Sequence, residues 1–89
     1  MKFGPEHIDL SEVEFIPELL NCIPAEMTLK FRVMPVYQTD KQIGIATADP
    51  GDLNSIDVVT RFLNRPIEIL VADKSQLDDF IHLFYGAGS

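Results

Sequence analysis

The second half of the chain switches repeatedly between the period of a β-strand and the period of an α-helix. Alternation from Ile43 to Thr47 predicts a strand, and apolar residues at helical spacing from Leu53 to Leu63 predict a helix. The same two patterns recur as a strand over 67–71 and a second helix. The apolar stripe of that second helix consists of Leu77, Phe80, Ile81, Phe84 and Tyr85. These switches restrict the chain to an α/β fold in which helices cover a sheet.

Capping and stop signals bound these two helices. Asp49 is suited to cap a helix whose first residue is Pro50, because aspartate accepts bonds from free N–H groups and proline fits a first turn. Asn64 favours a left-handed end for that helix. Asp73 and Gln76 resemble a capping box at the start of the second helix. Local chemistry therefore agrees with the periodicity on where each helix lies.

The first half predicts two short helices and the first strand. Pro17 can open a short helix, and Pro24 ends it and can start another that runs to about Phe31. Residues 33–37 then read as a strand, and the polar residues 39–42 join it to the next strand as an antiparallel hairpin. The predicted order is helix, helix, strand, strand, helix, strand, helix.

These elements predict an α/β (α+β) fold with about four helices packed on a small three-stranded sheet. We favour a sheet in which the third strand lies beside the first, which makes the sheet antiparallel. Pro35 lies in the first strand and has no N–H to donate. It is therefore expected at a strand end or facing away from a partner strand.

The chain has 89 residues, which is enough for one domain and too few for two. We expect a single domain over 1–86, with Gly86 as the stop of the last helix. Within it, residues 1–13 form a lead-in with little regular structure and residues 14–86 form the compact α/β part. Residues 87–89 read as a frayed tail.

The charge of the chain bounds its partners. It carries 14 acidic and 7 basic side chains, a net charge of −7. This excess argues against a nucleic-acid partner and against adhesion to an anionic membrane, since both need Lys and Arg. No apolar run approaches the roughly 20 residues that span a bilayer, so no direct membrane insertion is expected. With Cys22 as its single cysteine, the chain is expected in the cytoplasm.

Residues with catalytic potential do not form a recognisable set. The sequence contains no glycine-rich phosphate loop. His7, His82 and Cys22 are too few and too scattered for a metal site, and Cys22 is more simply read as a small buried apolar residue. The neighbours Asp78 and Asp79 point in different directions on a helix and are read as solvated charge. The sequence predicts no catalytic residue, no metal site and no cofactor.

Four basic residues are the candidates for contact with a partner or a ligand. Arg61 and Arg65 are spaced i, i+4 at the end of the middle helix. They either complement the helix C-terminus, with Asp57 pairing to Arg61, or contact an acidic partner or a phosphate. Lys30 and Arg32 form the second basic stretch, with the same functional interpretation.

Several short motifs stand in an order that is typical of one family. They are Phe3-Gly4-Pro5 with Ile8-Asp9-Leu10, Ile23-Pro24, Lys30 to Val36, Ile43 to Pro50, and Tyr85-Gly86. They resemble the N-terminal domain of type II secretion and type IV pilus assembly ATPases. That family has an IP before a helix, a (Y/F)-x-V-x-P strand, an A-x-x-D-P turn and a terminal Y-G. The resemblance covers nearly the whole chain.

The resemblance implies a docking module that precedes the motor domain and contacts cytoplasmic parts of inner-membrane assembly components. The chain lacks the motor, so the resemblance does not extend to ATPase activity. Its start inside a family segment favours an excised piece or a truncated relative. Some relatives bind cyclic di-GMP through a pair of upstream motifs that each begin with (R/K)-L-G, and this sequence contains neither of the two motifs. The alternative function is a small ligand sensor for cyclic di-GMP or another phosphate, anchored by Lys30, Arg32, Arg61 and Arg65.

Overall fold

The computed structural model describes residues 6–86. In chain order, the elements are β1 (Glu6–His7), a 3₁₀ turn (Leu10–Glu12), α1 (Pro17–Leu20), α2 (Ala25–Phe31), β2 (Val33–Gln38), β3 (Ile43–Thr47), α3 (Leu53–Leu63), β4 (Ile67–Val71), α4 (Lys74–Ile81) and a wider, π-helical turn (His82–Gly86). The four predicted helices and the three predicted strands are confirmed in order. The motif Phe3-Gly4-Pro5 and the tail 87–89 lie outside the described residues.

The sheet differs from the prediction in strand number and direction. It has four strands in the order β1-β4-β3-β2. β1 and β3 both pair with β4 in parallel, and β2 pairs with β3 antiparallel. The predicted three-stranded antiparallel sheet, with the third strand beside the first, is therefore wrong.

The position of β3 explains this arrangement. All five residues of β3 are buried, so this strand needs a neighbour on each side and helices over both of its faces. β2 occupies one side through the hairpin. The chain that follows β3 is long enough to include α3 and return in parallel on the other side, as a β-α-β unit requires.

The lead-in is part of the packed domain. Its strand β1 aligns Glu6 with Leu70 and His7 with Val71 of β4. Leu10 is fully buried in the core, although the sequence predicted little regular structure before residue 14. The N-terminal segment therefore extends the sheet and also fills its core.

The hairpin between β2 and β3 is confirmed. Backbone N–H of Thr39 donates to the carbonyl of Gln42 at 2.8 Å, which closes the turn. β2 is an edge strand, and its register with β3 shifts between Pro35 and Tyr37. Pro35 thus sits next to a bulge on an edge, where a missing donor is tolerated.

Apolar residues on the two faces of the sheet form two clusters. One contains Leu10, Met34, Val36, Ala46, Leu70, Ala72, Leu77 and Ile81. The other contains Ile23, Val33, Ile43, Ile45 and Val59. Because alternate strand residues point to opposite faces, α4 and the lead-in cover one face and α3 covers the other.

The caps of α3 differ from the prediction at one end. The helix begins at Leu53, and its cap is Asp52, whose carboxylate accepts from the N–H of Ser55 at 3.3 Å. Asp49 instead closes the preceding turn, accepting from the N–H of Gly51 at 3.1 Å. Asn64 ends the helix in the left-handed conformation, with φ of 55°, as predicted.

The start of α4 uses half of the predicted capping box. The carboxylate of Asp73 accepts from the N–H of Gln76 at 3.2 Å. The side chain of Gln76 does not return to Asp73. Its Oε1 accepts from the N–H of Leu10 at 2.9 Å and its Nε2 donates to Asp9 Oδ1 at 2.9 Å. Gln76 therefore ties the lead-in to α4.

The predicted apolar stripes are only partly buried. Val59 of α3 and Leu77 and Ile81 of α4 are fully buried, as expected. Leu53 and Phe62, which the periodicity placed in the α3 stripe, are 70% and 56% exposed. The apolar side of α3 is therefore wider than the surface that the sheet covers.

Candidate functional site

The parallel strands end at one edge of the sheet. His7, Val71 and Thr47 are the last residues of β1, β4 and β3, and the register aligns all three. Crevices outside the carboxyl ends of parallel strands are the common binding position in open α/β sheets. We therefore describe this edge, called here the carboxyl edge, as the candidate site.

A cleft of about 480 Å³ opens at the carboxyl edge, between the end of α2 and the starts of α3 and α4. Its charged lining residues are Lys30, Arg32, Lys74, Asp49, Asp52 and Asp78. Its apolar lining residues include Phe31, Ala48 and Leu77. Equal numbers of acidic and basic side chains make the cleft electrically balanced rather than basic.

Asp78 pairs with two of the three basic side chains that line the cleft. Its carboxylate lies 2.8 Å from Lys74 Nζ and 3.9 Å from Arg32 Nη1. The hydrogen bond from Lys74 is the largest cause that lowers the pKa of Asp78.

Arg32 ends α2 with φ of 54°, an uncommon conformation for a bulky residue. Lys30 Nζ lies 5.5 Å from the ring centre of Phe31.

The structure separates the four basic residues that the sequence singled out. Lys30 and Arg32 meet in the cleft. Arg61 is on the exposed surface of α3, where it pairs with Asp57 at 3.2 Å, as one of the two interpretations predicted. Arg65 follows the left-handed end of α3, and its Nη2 donates to Gln38 Oε1 at 3.0 Å. Arg61 and Arg65 therefore do not share a helix.

Lys74 and Asp78 are cleft residues that the sequence interpretation missed. They are spaced i, i+4 on α4, directly after the strand end at Val71. A parallel placement of β4 beside β3 would have put the start of α4 at the carboxyl edge. An antiparallel sheet, as expected from the sequence, places this start elsewhere, and the sequence pattern alone indicates a solvated charge at Asp78.

A second surface, called here the α1–α2 groove, has a volume of about 380 Å³. It is lined by Pro17, Leu20, Asn21, Ile23, Pro24, Ala25, Phe84 and Tyr85. The hydroxyl of Tyr85 donates to the carbonyl of Leu20 at 2.7 Å, which joins the last turn to α1. The ring of Phe84 lies 5.2 Å from that of Phe15.

Tyr85 gives the domain a dependence on alkaline pH. Burial raises its pKa to about 12. The folded chain holds this proton more tightly than the unfolded chain, so the stabilisation is complete below about pH 10 and is lost as the pH rises through about 12. We expect the Tyr85→Phe variant to lose less stability than the parent between about pH 9 and 12. Urea unfolding at several pH values measures this.

The parent protein and the Tyr85→Phe variant both keep Tyr37, the other tyrosine, so the difference between their pH profiles isolates Tyr85. Parallel profiles would contradict the expected role of Tyr85.

Cys22 is half-buried rather than buried, and its thiol donates to the carbonyl of Glu18 at 3.4 Å. Burial raises the pKa of this thiol.

Within residues 6–86, no group of three or more His, Cys, Asp or Glu side chains is placed so that it could hold a metal ion. In the same range no helix has the length and apolar character needed to cross a bilayer.

Comparison with protein families gives a match over nearly the entire chain. The MshEN domain matches residues 3–89. The chain belongs to the MshEN domain family. The resemblance to N-terminal domains of secretion and pilus assembly ATPases, drawn from short motifs, is thereby confirmed.

Two relatives are a pilus assembly ATPase and a secretion system protein. The chain is 24% identical over 84 residues to the type IV pilus assembly ATPase PilB of Myxococcus xanthus. This match covers 94% of the chain and 15% of PilB. The chain is also 31% identical over 75 residues to the type II secretion system protein E of Xanthomonas campestris pv. campestris. That match covers 84% of the chain and 13% of the relative. The chain thus spans a small part of the length of each relative.

Solved structures share the MshEN fold. A structure of MshE with cdg has a TM-score of 0.81 at 23% identity, covering 91% of this chain and 59% of that one. The N-terminal domain of XpsE has a TM-score of 0.75 at 25% identity, covering 92% of this chain and 58% of that one. The identity to MshE is low enough that this likeness shows the fold alone.

Proposed function

We propose that this MshEN domain is a non-catalytic docking module of a type II secretion or type IV pilus assembly ATPase. It contacts the cytoplasmic part of an inner-membrane assembly component, and its own position is the cytoplasm, at the membrane only through that partner. Support comes from the family and from relatives that are themselves a pilus assembly ATPase and a secretion system protein E.

The observation that carries the proposal is the grouping of large apolar side chains on the surface. Within the described part of the chain, these are Ile16, Leu53, Val58, Phe62, Leu83 and Phe84. Val58 and Phe62 are i, i+4 neighbours on α3. The ring of Phe84 lies against that of Phe15, and Ile16 follows Phe15 in the chain. Single exposed apolar residues are ordinary, but adjacent ones mark surfaces that a partner covers.

A direct binding measurement tests the docking proposal. The purified chain is titrated calorimetrically with the cytoplasmic fragments of inner-membrane platform proteins from the same bacterium. We expect saturable binding to one of them, and no binding to the periplasmic fragment of that protein. A folded domain that binds none of the cytoplasmic fragments would contradict the proposal.

The second candidate is a ligand sensor, which the cleft at the carboxyl edge favours. Lys30, Arg32 and Lys74 meet there, and the structural neighbour MshE was solved with cdg, an abbreviation of cyclic di-GMP. The phosphates of such a ligand would compete with Asp78 for Arg32 and Lys74. The adjacent carboxylates weaken this candidate, because they oppose an anionic ligand.

Titration with cyclic di-GMP separates the two candidates. If the cleft is a sensor, the Arg32→Ala/Lys74→Ala variant should lose binding. The Arg61→Ala/Arg65→Ala variant, which removes two basic side chains outside the cleft, should still bind cyclic di-GMP. No heat of binding from the folded parent chain would reject the sensor and leave docking as the function.

A further inference from the structure

We infer that the α1–α2 groove receives an amphipathic helix of the docking partner, with Lys or Arg on the flanks of its apolar face. This inference rests on the proposed docking function and gives it a place and a chemistry. It is independent of the carboxyl edge, which contributes no residue to the groove.

The groove presents apolar surface to a partner. Pro17 and Leu20 of α1, Pro24 before α2 and Phe84 of the last turn line it. Phe84 is 38% exposed and Ile16, next to Pro17, is 43% exposed. Helices bind to such grooves through apolar side chains spaced i, i+3, i+4 and i+7.

The groove is held in shape before any partner binds. The hydrogen bond from Tyr85 to Leu20 joins two of its sides. Pro17 opens α1 and Pro24 caps α2, so proline fixes the backbone at both helix starts. A preformed groove lowers the entropy cost of binding.

Charge around the groove selects a basic partner. The segment 6–29, which contains α1 and most of α2, carries six acidic residues and neither Lys nor Arg, and Arg65 is the base whose charge acts on Cys22 between the two helices. Glu18 and Glu26 are exposed, and in the chain each directly follows a lining residue, Pro17 and Ala25 respectively. Acidic flanks favour Lys and Arg at the edges of a bound helix and raise its association rate.

The same charges disfavour the other occupants of an apolar groove. A second copy of this chain that docked groove to groove would bring Glu18 and Glu26 against the same acidic residues, and like charges across an interface are costly. An anionic membrane surface would be repelled for the same reason. A basic amphipathic helix satisfies both the apolar lining and the acidic flanks.

The test uses two synthetic peptides of about 18 residues, since shorter helices are marginal in water. Both have Leu at i, i+3, i+4 and i+7 spacing, and the remaining positions are Lys in one peptide and Glu in the other. The isotope-labelled chain is titrated with each. We expect the Leu/Lys peptide alone to bind and to shift the amide signals of Leu20, Asn21 and Phe84.

Charge reversal at the groove supplies the matched variants. Glu18→Lys/Glu26→Lys should bind the Leu/Lys peptide about tenfold more weakly, a loss of about 1.4 kcal/mol. Asp40→Lys/Asp57→Lys makes the same change in net charge on the hairpin and on α3, and should bind like the parent. Glu18→Gln/Glu26→Gln removes the charges without reversing them and should show an intermediate loss.

Each contrary result overturns the inference. These results are equal binding of the two peptides, no binding of either, signal shifts away from the groove, equal effects of the two charge reversals, or a dimer formed through Phe84. The platform fragment that binds the parent is then titrated into Glu18→Lys/Glu26→Lys. Unchanged binding there rejects the groove while docking stands, whereas a parent that binds no fragment rejects docking itself.

Discussion

Replacement of Leu10 by Ala should destabilise the domain by about 2–5 kcal/mol, the cost of a buried large-to-small substitution. Leu10 is fully buried in the cluster that also contains Met34, Leu77 and Ile81. Its backbone N–H is held by Gln76, so the segment cannot easily shift to fill the cavity. The total free energy of unfolding of a small domain is about 5–15 kcal/mol, so the side chain of Leu10 accounts for a large share of it.

Urea unfolding of Leu10→Ala measures this loss. Glu12→Ala is the matched control, because Glu12 lies in the same 3₁₀ turn and is exposed. We expect the control to stay within about 0.5 kcal/mol of the parent. Equal stability of Leu10→Ala and the parent would mean that the lead-in does not belong to the core of the proposed 1–86 domain.

Gly44→Ala should cost about 1–3 kcal/mol, because a methyl group there has no room. A Cβ on Gly44 would overlap Cε2 and Cδ2 of Tyr37, whose ring lies against the strand at this point. The hydroxyl of Tyr37 donates to Glu68 and accepts from Gln42. The ring must rotate away to admit the methyl, and these hydrogen bonds are then lost.

A double-mutant cycle tests that cause. In the Tyr37→Ala background, the added cost of Gly44→Ala should largely disappear, because the ring is gone. Gly51→Ala is the control, since a Cβ there meets its nearest atom, Asp49 Oδ1, at an ordinary 3.4 Å. Additive effects of Tyr37→Ala and Gly44→Ala would show that the ring is not what excludes the methyl.

The sequence predicted the local elements well because their signals are local. Pro17, Pro24 and Asn64 mark helix boundaries through the properties of single residues. The cap of α3 was misplaced by three residues because both Asp49 and Asp52 can accept N–H bonds, and only the fold of the turn between them decides. Boundaries depend on such competition more than element types do.

Strand pairing could not be predicted in the same way. It depends on which neighbour β3 requires, and the decisive observation is that all of β3 is buried. The link from Gln76 to Leu10 joins residues 66 positions apart, so no periodicity reveals it. The candidate site inherited this error, since Lys30 and Arg32 were identified but Lys74 and Asp78 join them only when β4 is parallel to β3.

The two outer strands of the sheet have a consequence for how the domain recognises other chains. An open edge with free N–H and C=O groups invites another strand to add to the sheet and leads to aggregation. In residues 6–86, one edge is β1, with two residues, and the other is β2, which carries Pro35 and a bulge. Both edges are poor templates for a foreign strand, so association through the backbone is discouraged and recognition is left to side chains.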